Sequence, residues 1–149
     1  MPQEGHNQHR ILVIDDEGSS RTLARRLLER YGYQVLLAAD GEEGLIVAKA
    51  EQPDCILLDI IMPKLNGFEV LRRFKADPDI KTIPVIVVSA KGAERDIATS
   101  FRLGAIFHVE KPHEIQDLLQ KIKVAFVQGT QNDSARPAGS EEGEPSAPG

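Results

Sequence analysis

Three carboxylates and a lysine, Asp15, Asp16, Asp59 and Lys111, stand where apolar runs of the chain stop. The runs are Ile11-Leu12-Val13-Ile14, Cys55-Ile56-Leu57-Leu58 and the weaker Ile106-Phe107-His108-Val109. A fourth run, Val85-Ile86-Val87-Val88, stops at a hydroxyl, Ser89. Taken singly, each polar residue has an ordinary use: an acid after a strand caps a helix, a serine makes a turn, a lysine faces water. If the runs are parallel strands of one sheet, however, all of these groups emerge at one edge, beyond the carboxyl ends of the strands, where open α/β sheets bind ligands. Gathered acids repel one another, so such a cluster implies a cation to be held and an anionic group to be handled.

The elements that must position these residues follow from periodicity. From Arg10 a strand-helix rhythm repeats five times, which predicts an α/β fold with a parallel sheet. Strands are expected near 10–15, 33–38, 54–59, 83–88 and 106–110. The first helix places Leu23, Leu27 and Tyr31 along one face, with Ala24 and Leu28 beside them, and Gly32 is free to end it in a left-handed conformation. Asp40 with Glu43 three positions later reads as a capping box for a second helix reaching about Ala50. Asn66 is placed to cap a third helix with Glu69 at its third position and Phe68, Leu71 and Phe74 as its apolar stripe, stopped by Asp77-Pro78-Asp79. The fourth helix, near 93–103, carries few large apolar residues, chiefly Ile97, Phe101 and Leu103, and is expected to be the least deeply held. In the fifth, Ile115, Leu118, Leu119, Ile122, Ala125 and Phe126 follow the helical spacing closely.

Composition bounds the rest. The 149 residues suit one domain, and 41% hydrophobic with 28% charged residues is ordinary for a soluble globular protein. The apolar runs are too short to span a bilayer, and the start, Met1-Pro2-Gln3-Glu4-Gly5-His6, lacks the basic and apolar segments of a secretion signal. The single cysteine, Cys55, lies inside an apolar run and reads as buried filler; with no internal disulfide available, a reducing cytoplasmic location is expected. The net charge of −5 gives no basic excess for direct nucleic-acid binding. A local cluster, Arg21, Arg25, Arg26 and Arg30, reads first as a solvated helix face and second as a dock for an acidic partner. Residues 1–9 are polar and expected to be flexible. Residues 129–149 hold Gly, Ser, Pro, Ala and Glu without apolar periodicity, and are expected to be a disordered tail after an ordered domain of 10–128.

Over Arg10–Gln128 the chain resembles a response regulator receiver domain of bacterial two-component signalling, similar to the chemotaxis regulators. The resemblance rests on Ile14-Asp15-Asp16-Glu17, on Asp59-Ile60-Ile61-Met62-Pro63-Lys64-Leu65-Asn66-Gly67, on Val88-Ser89-Ala90, and on Gly104-Ala105 and Lys111-Pro112. It implies a doubly wound, flavodoxin-like (βα)5 fold with five parallel strands in the order 2-1-3-4-5, which would set Asp15 and Asp16 beside Asp59. It further implies that Asp59 is the phosphorylated side chain. Mg²⁺ would be held by Asp16 directly, by Asp15 directly or through water, by Asp59, and by the backbone carbonyl of Ile61. Such a site suits the ion's demand for octahedral oxygen ligands and retained waters. Lys111 and Ser89 would hold phosphoryl oxygens, and Ala90, Lys91 and Pro112 would border the site. A cis Lys111–Pro112 bond would aim the ammonium inward; the alternative is that Pro112 simply starts the last helix. Gly67 serves a tight backbone path after Asp59. A carboxylate is ionised at neutral pH, so attack needs no general base, and phosphoryl transfer is mostly positioning and electrostatics.

The implied donor is a sensor histidine kinase or a histidine phosphotransfer protein, and the implied output is control of a partner, unidentified by the sequence, through the surface of helix 4, strand 5 and helix 5. On that reading Ser89 and His108 are the switch residues, although relatives more often carry Tyr or Phe where this chain has His108. The segment Ile106-Phe107 is more apolar than in many relatives, and an apolar Ile61 offers no side chain to orient an attacking water, which implies slow loss of the phosphate. The chain would be an enzyme only toward its own phosphorylation and dephosphorylation, without membrane insertion, and a weak homodimer is left open. Two rivals differ in class. A Mg²⁺-dependent phosphohydrolase with an aspartyl nucleophile would carry Asp-x-Asp where this chain has Asp15-Asp16-Glu17, and would need a substrate-selecting cap domain. A phosphorylation-independent interaction module would not need the intact acid, hydroxyl and lysine set. A dinucleotide-binding reading lacks the Gly-x-Gly-x-x-Gly fingerprint after the first strand.

Overall fold

The computed structural model describes residues 9–60, 67–90, 94–111 and 115–135. Strands and helices alternate as β1 Arg10–Ile14, α1 Gly18–Arg30, β2 Gln34–Ala38, α2 Gly41–Glu51, β3 Cys55–Asp59, α3 Gly67–Ala76, β4 Val85–Ala90, α4 Glu94–Arg102, β5 Phe107–Lys111 and α5 Ile115–Ala135. The five strands form one parallel sheet in the order β2-β1-β3-β4-β5, as the resemblance implied.

Each strand sends alternate side chains to opposite faces, and both faces are covered. Leu12, Ile14, Ile56, Leu58, Val85 and Val87 join Val70, Leu71 and Phe74 of α3 on one side. Ile11, Val13, Cys55, Leu57, Ile86 and Val109 join Leu28 of α1 and Leu118, Leu119 and Ile122 of α5 on the other. Burial on both faces explains the near-continuous apolar runs of the strands and confines polar groups to their ends.

Local signals behave as expected at several boundaries. Asp40 caps α2 by accepting from the Glu43 amide at 2.9 Å, while the Glu43 carboxylate accepts from the Ala39 amide at 2.6 Å. That is a capping box shifted one residue outward, and such a cap contributes about 1 kcal/mol. Gly32 follows α1 with φ 95°, which a side chain would resist. The expected cap of α3, Asn66, lies outside the described residues.

Other expectations need correction. Along α1, Leu23 is 58% exposed and Tyr31 is 41% exposed, whereas Leu28 is fully buried. Ala24 and Leu28, rather than the Leu23-Leu27-Tyr31 line, therefore seat the helix on the sheet, and the Tyr31 hydroxyl instead accepts from Gln116 at 3.2 Å. β4 begins two residues later than expected and runs to Ala90, so Ser89 lies inside the strand rather than after it. α5 continues to Ala135, seven residues past the boundary drawn at Gln128, so the first part of the expected disordered tail is helical. Among the nine residues expected to be loose, His9 is engaged: its carbonyl accepts from the Gln34 amide, and its ring stacks on Phe126 with centroids 4.2 Å apart.

Candidate functional site

The parallel order places the ends of β1 and β3 side by side, with Ile11 to Ile14 paired against Cys55 to Leu58. Beyond that shared edge, Asp15, Asp16 and Asp59 each present a carboxylate oxygen, and these oxygens lie within 4.8 Å of one another. The three acids differ in setting. Asp15 is buried, at 6% exposure, Asp59 is intermediate and Asp16 is exposed.

Backbone and side-chain contacts hold the loop that carries the first two acids. The Asp15 amide continues the β1–β2 ladder to the Ala38 carbonyl at 3.2 Å. One Asp15 carboxylate oxygen accepts from the Glu17 amide at 3.0 Å, folding the chain toward α1. Arg21 reaches back one turn to donate to the Asp15 carbonyl at 2.7 Å. Glu17, at the N-cap of α1, accepts from the hydroxyls of Ser19 and Ser20. Arg21, read from sequence as part of a cationic helix face, thus supports the acid loop, and no sequence pattern distinguished it from Arg25, Arg26 and Arg30.

Around Asp59 the geometry is equally specific. Asp59 pairs with Val88 of β4. The segment after Asp59 begins at Ile60, whose amide donates to the Val88 carbonyl at 3.3 Å, and it closes where the Gly67 amide donates to the Ile60 carbonyl at 2.9 Å. A Cβ on Gly67 would run into the Ile60 backbone, 2.8 Å from its carbonyl carbon and oxygen. The tight path read from the sequence is therefore a close backbone approach. Ile61, Lys91 and Pro112 lie outside the described residues, and with them the carbonyl ligand, the bordering lysine and the Lys111–Pro112 bond.

β4 and β5 bring the remaining candidates to the same edge of the sheet. Ser89 pairs with Glu110, and Ala90, the last residue of β4, pairs with Lys111, the last of β5. His108 pairs with Val87 and makes a contact that the sequence did not disclose: its Nδ1 lies 2.9 Å from the Ser100 hydroxyl of α4. Ser100 is fully buried. Its only trace in the sequence is a position three residues after Ile97, on the helix's inward face. Ile106 and Phe107 are partly buried against the α1–α5 side, with the Lys121 ammonium 5.9 Å from the Phe107 ring centre; their apolar character is absorbed by packing within the molecule.

The three-acid group suits a hard divalent ion, because every donor is a carboxylate oxygen and the three lie within 4.8 Å of one another. The five-stranded 2-1-3-4-5 sheet, with Asp15 and Asp16 after β1 and Asp59 ending β3, is the arrangement that the receiver resemblance implied. The family model described as the response regulator receiver domain matches residues 11–123, and the chain belongs to that family. It is therefore a receiver domain of two-component signalling. Among its relatives, Protein PilH of Pseudomonas aeruginosa is 40% identical over 117 residues, covering 78% of this chain and 97% of that protein. The alkaline phosphatase synthesis transcriptional regulatory protein PhoP of Bacillus subtilis is 40% identical over 114 residues, covering 76% of this chain and 47% of that protein. The chain thus spans nearly all of the first relative and about half of the second. A solved receiver domain protein described as CheY-like, from Methanospirillum hungatei, superposes with a TM-score of 0.76 at 30% identity over 85% of this chain and 99% of the other. Among the described residues, no helix is long and apolar enough to cross a membrane.

Proposed function

We propose that this receiver is a Mg²⁺-dependent phosphoacceptor in which Asp59 accepts a phosphoryl group from the phosphohistidine of a sensor kinase or histidine phosphotransfer protein. The observation that carries the reading is the convergence of the Asp15, Asp16 and Asp59 oxygens within 4.8 Å at the carboxyl ends of adjacent strands. An Asp59 oxygen forms the new bond to phosphorus as the donor's phosphorus–nitrogen bond breaks, and water later cleaves the acyl phosphate. Asp16 and Asp59 directly, Asp15 directly or through water, and the Ile61 carbonyl would hold Mg²⁺, which would supply the positive charge that offsets repulsion between the nucleophile and the phosphoryl oxygens. Lys111 and Ser89, from the adjacent strands β5 and β4, are assigned to the phosphoryl oxygens, with Ala90, Lys91 and Pro112 bordering them. Ser89 and His108 pass the change to a surface of α4, β5 and α5, where Arg102 and His108 meet an output partner. Arg25, Arg26 and Arg30 on α1 are assigned to the donor protein.

The experiment is incubation of the purified chain with Mg²⁺ and a small acyl phosphate, read by intact mass. A single phosphate adduct that is lost in Asp59→Asn and on chelation of Mg²⁺ is the expected result, and its decay should take minutes or longer. Repeated turnover of phosphomonoesters without an adduct would favour the hydrolase instead. The family match over residues 11–123 supports the receiver over that alternative.

A further inference from the structure

Among the described residues, α4 meets β5 through a polar contact. Of the α4 side chains described, 97–102, Ser100 is the one that is buried; Ile97 is intermediate and Phe101 is 48% exposed. Apolar contacts tolerate sliding, because burial is not directional. A hydrogen bond is different: at 2.9 Å the Ser100–His108 bridge requires both distance and angle, and a displacement of an ångström or less breaks it. The two partners also belong to different elements, one on the helix and one on the edge strand β5, where His108 turns to the face that α4 covers while Phe107 and Val109 turn to the α5 side. The Ser100 carbonyl meanwhile accepts from the Ala105 amide at 2.9 Å, tying the same residue to the turn that ends the helix.

We propose that Ser100 and His108 form a polar latch that fixes α4 against β5 in the unphosphorylated protein and opens when the α4–β5 surface changes state. The proposal rests on the phosphoacceptor reading for what opens the latch, but not for its existence. With the proton on Nε2, the imidazole accepts at Nδ1 and the serine hydroxyl donates. An imidazole held in this way cannot occupy an outward rotamer, so helix position and ring orientation move together. One such bond is worth a shift on the order of fivefold in an opening equilibrium, enough to bias a two-state element without locking it.

The test is amide hydrogen exchange across 94–102 in the full chain, in four versions: unaltered, Ser100→Ala, His108→Phe and the double variant. In the absence of phosphate, Ser100→Ala should speed exchange on the order of fivefold, and the His108 Nδ1 resonance should move. In the His108→Phe background, Ser100→Ala should change exchange less than about twofold. Equal acceleration in both backgrounds, or an unmoved Nδ1 resonance, overturns the latch. After treatment with Mg²⁺ and acyl phosphate, the effect of Ser100→Ala should shrink; an undiminished effect in a chain that carries the adduct overturns the opening step. If no adduct forms, the phosphoacceptor reading fails, and the phosphate-free comparison still decides the latch.

Discussion

Single side chains in this receiver are shaped by where the backbone leaves them. Asp15 and Asp16 are neighbours in sequence, yet one is buried and spends a carboxylate oxygen on the Glu17 amide while the other faces water. Cys55 illustrates the opposite case, a titratable group kept silent. It is fully buried, and burial pushes its thiol up to about 12. The unfolded thiol ionises near 9.0, so above that pH the unfolded chain has lost a proton that the folded chain retains. Stability should therefore fall as pH rises from about 9 toward 12, by up to about 1.4 kcal/mol per pH unit from this group. Tyr33, raised chiefly by burial, acts with the same sign. Urea unfolding between pH 8 and roughly 10.5 should show a shallower decline in Cys55→Ala than in the unaltered chain; parallel declines would mean that the thiol is not protected.

At the scale of elements, the start of α3 is held close to the residue that follows β3. The Gly67 amide donates to the Ile60 carbonyl, and a Cβ at position 67 has nowhere to go but into the Ile60 backbone. Backbone yields less readily than the tip of a side chain. Gly67→Ala should cost about 2 kcal/mol or more in urea unfolding and should also slow phosphate uptake, since Ile60 adjoins Asp59. Unchanged stability would show that the two segments separate easily. A tie of another kind lies at the opposite end of α3. The Lys75 ammonium donates to the Lys81 and Ile83 carbonyls, each at 3.1 Å, while its stem lies against Gly104 at φ 109°. Burial lowers the Lys75 pKa from its ordinary value, the cost of placing a cation there.

The molecule as a whole separates its functions by edge. The carboxyl ends of the strands carry the acids, the hydroxyl and the lysine, and the amino ends carry an aromatic cluster. His9 stacks on Phe126, and Tyr33 lies 5.7 Å from the same ring, tilted at 52°. These contacts join the entry to β1, the entry to β2 and the far half of α5, so they secure the helix without touching the acid site. Phe126→Ala should lower stability by about 2 kcal/mol, less than for a fully buried ring because Phe126 is only partly covered. Phosphate uptake measured by intact mass should be unchanged; a loss of uptake would mean that the two edges are coupled.

The sequence by itself determined the alternation of elements, the two-faced burial of the strands and the residue types gathered at one edge. Those follow from local periodicity and from the rule that polar groups sit at the ends of buried strands. Even there the boundaries moved, because Ser89 continues β4 and α5 passes Gln128. Only the tertiary structure decided which helix stripe meets the sheet. On α1, Leu23-Leu27-Tyr31 and Ala24-Leu28 are both helical lines, and spacing cannot tell which one the neighbouring strands will cover. The same holds for contacts between elements. Arg21 among four similar arginines, and Ser100 in a helix of ordinary composition, acquire their partners from the crossing of chains. A period names a face; what that face touches is set by packing.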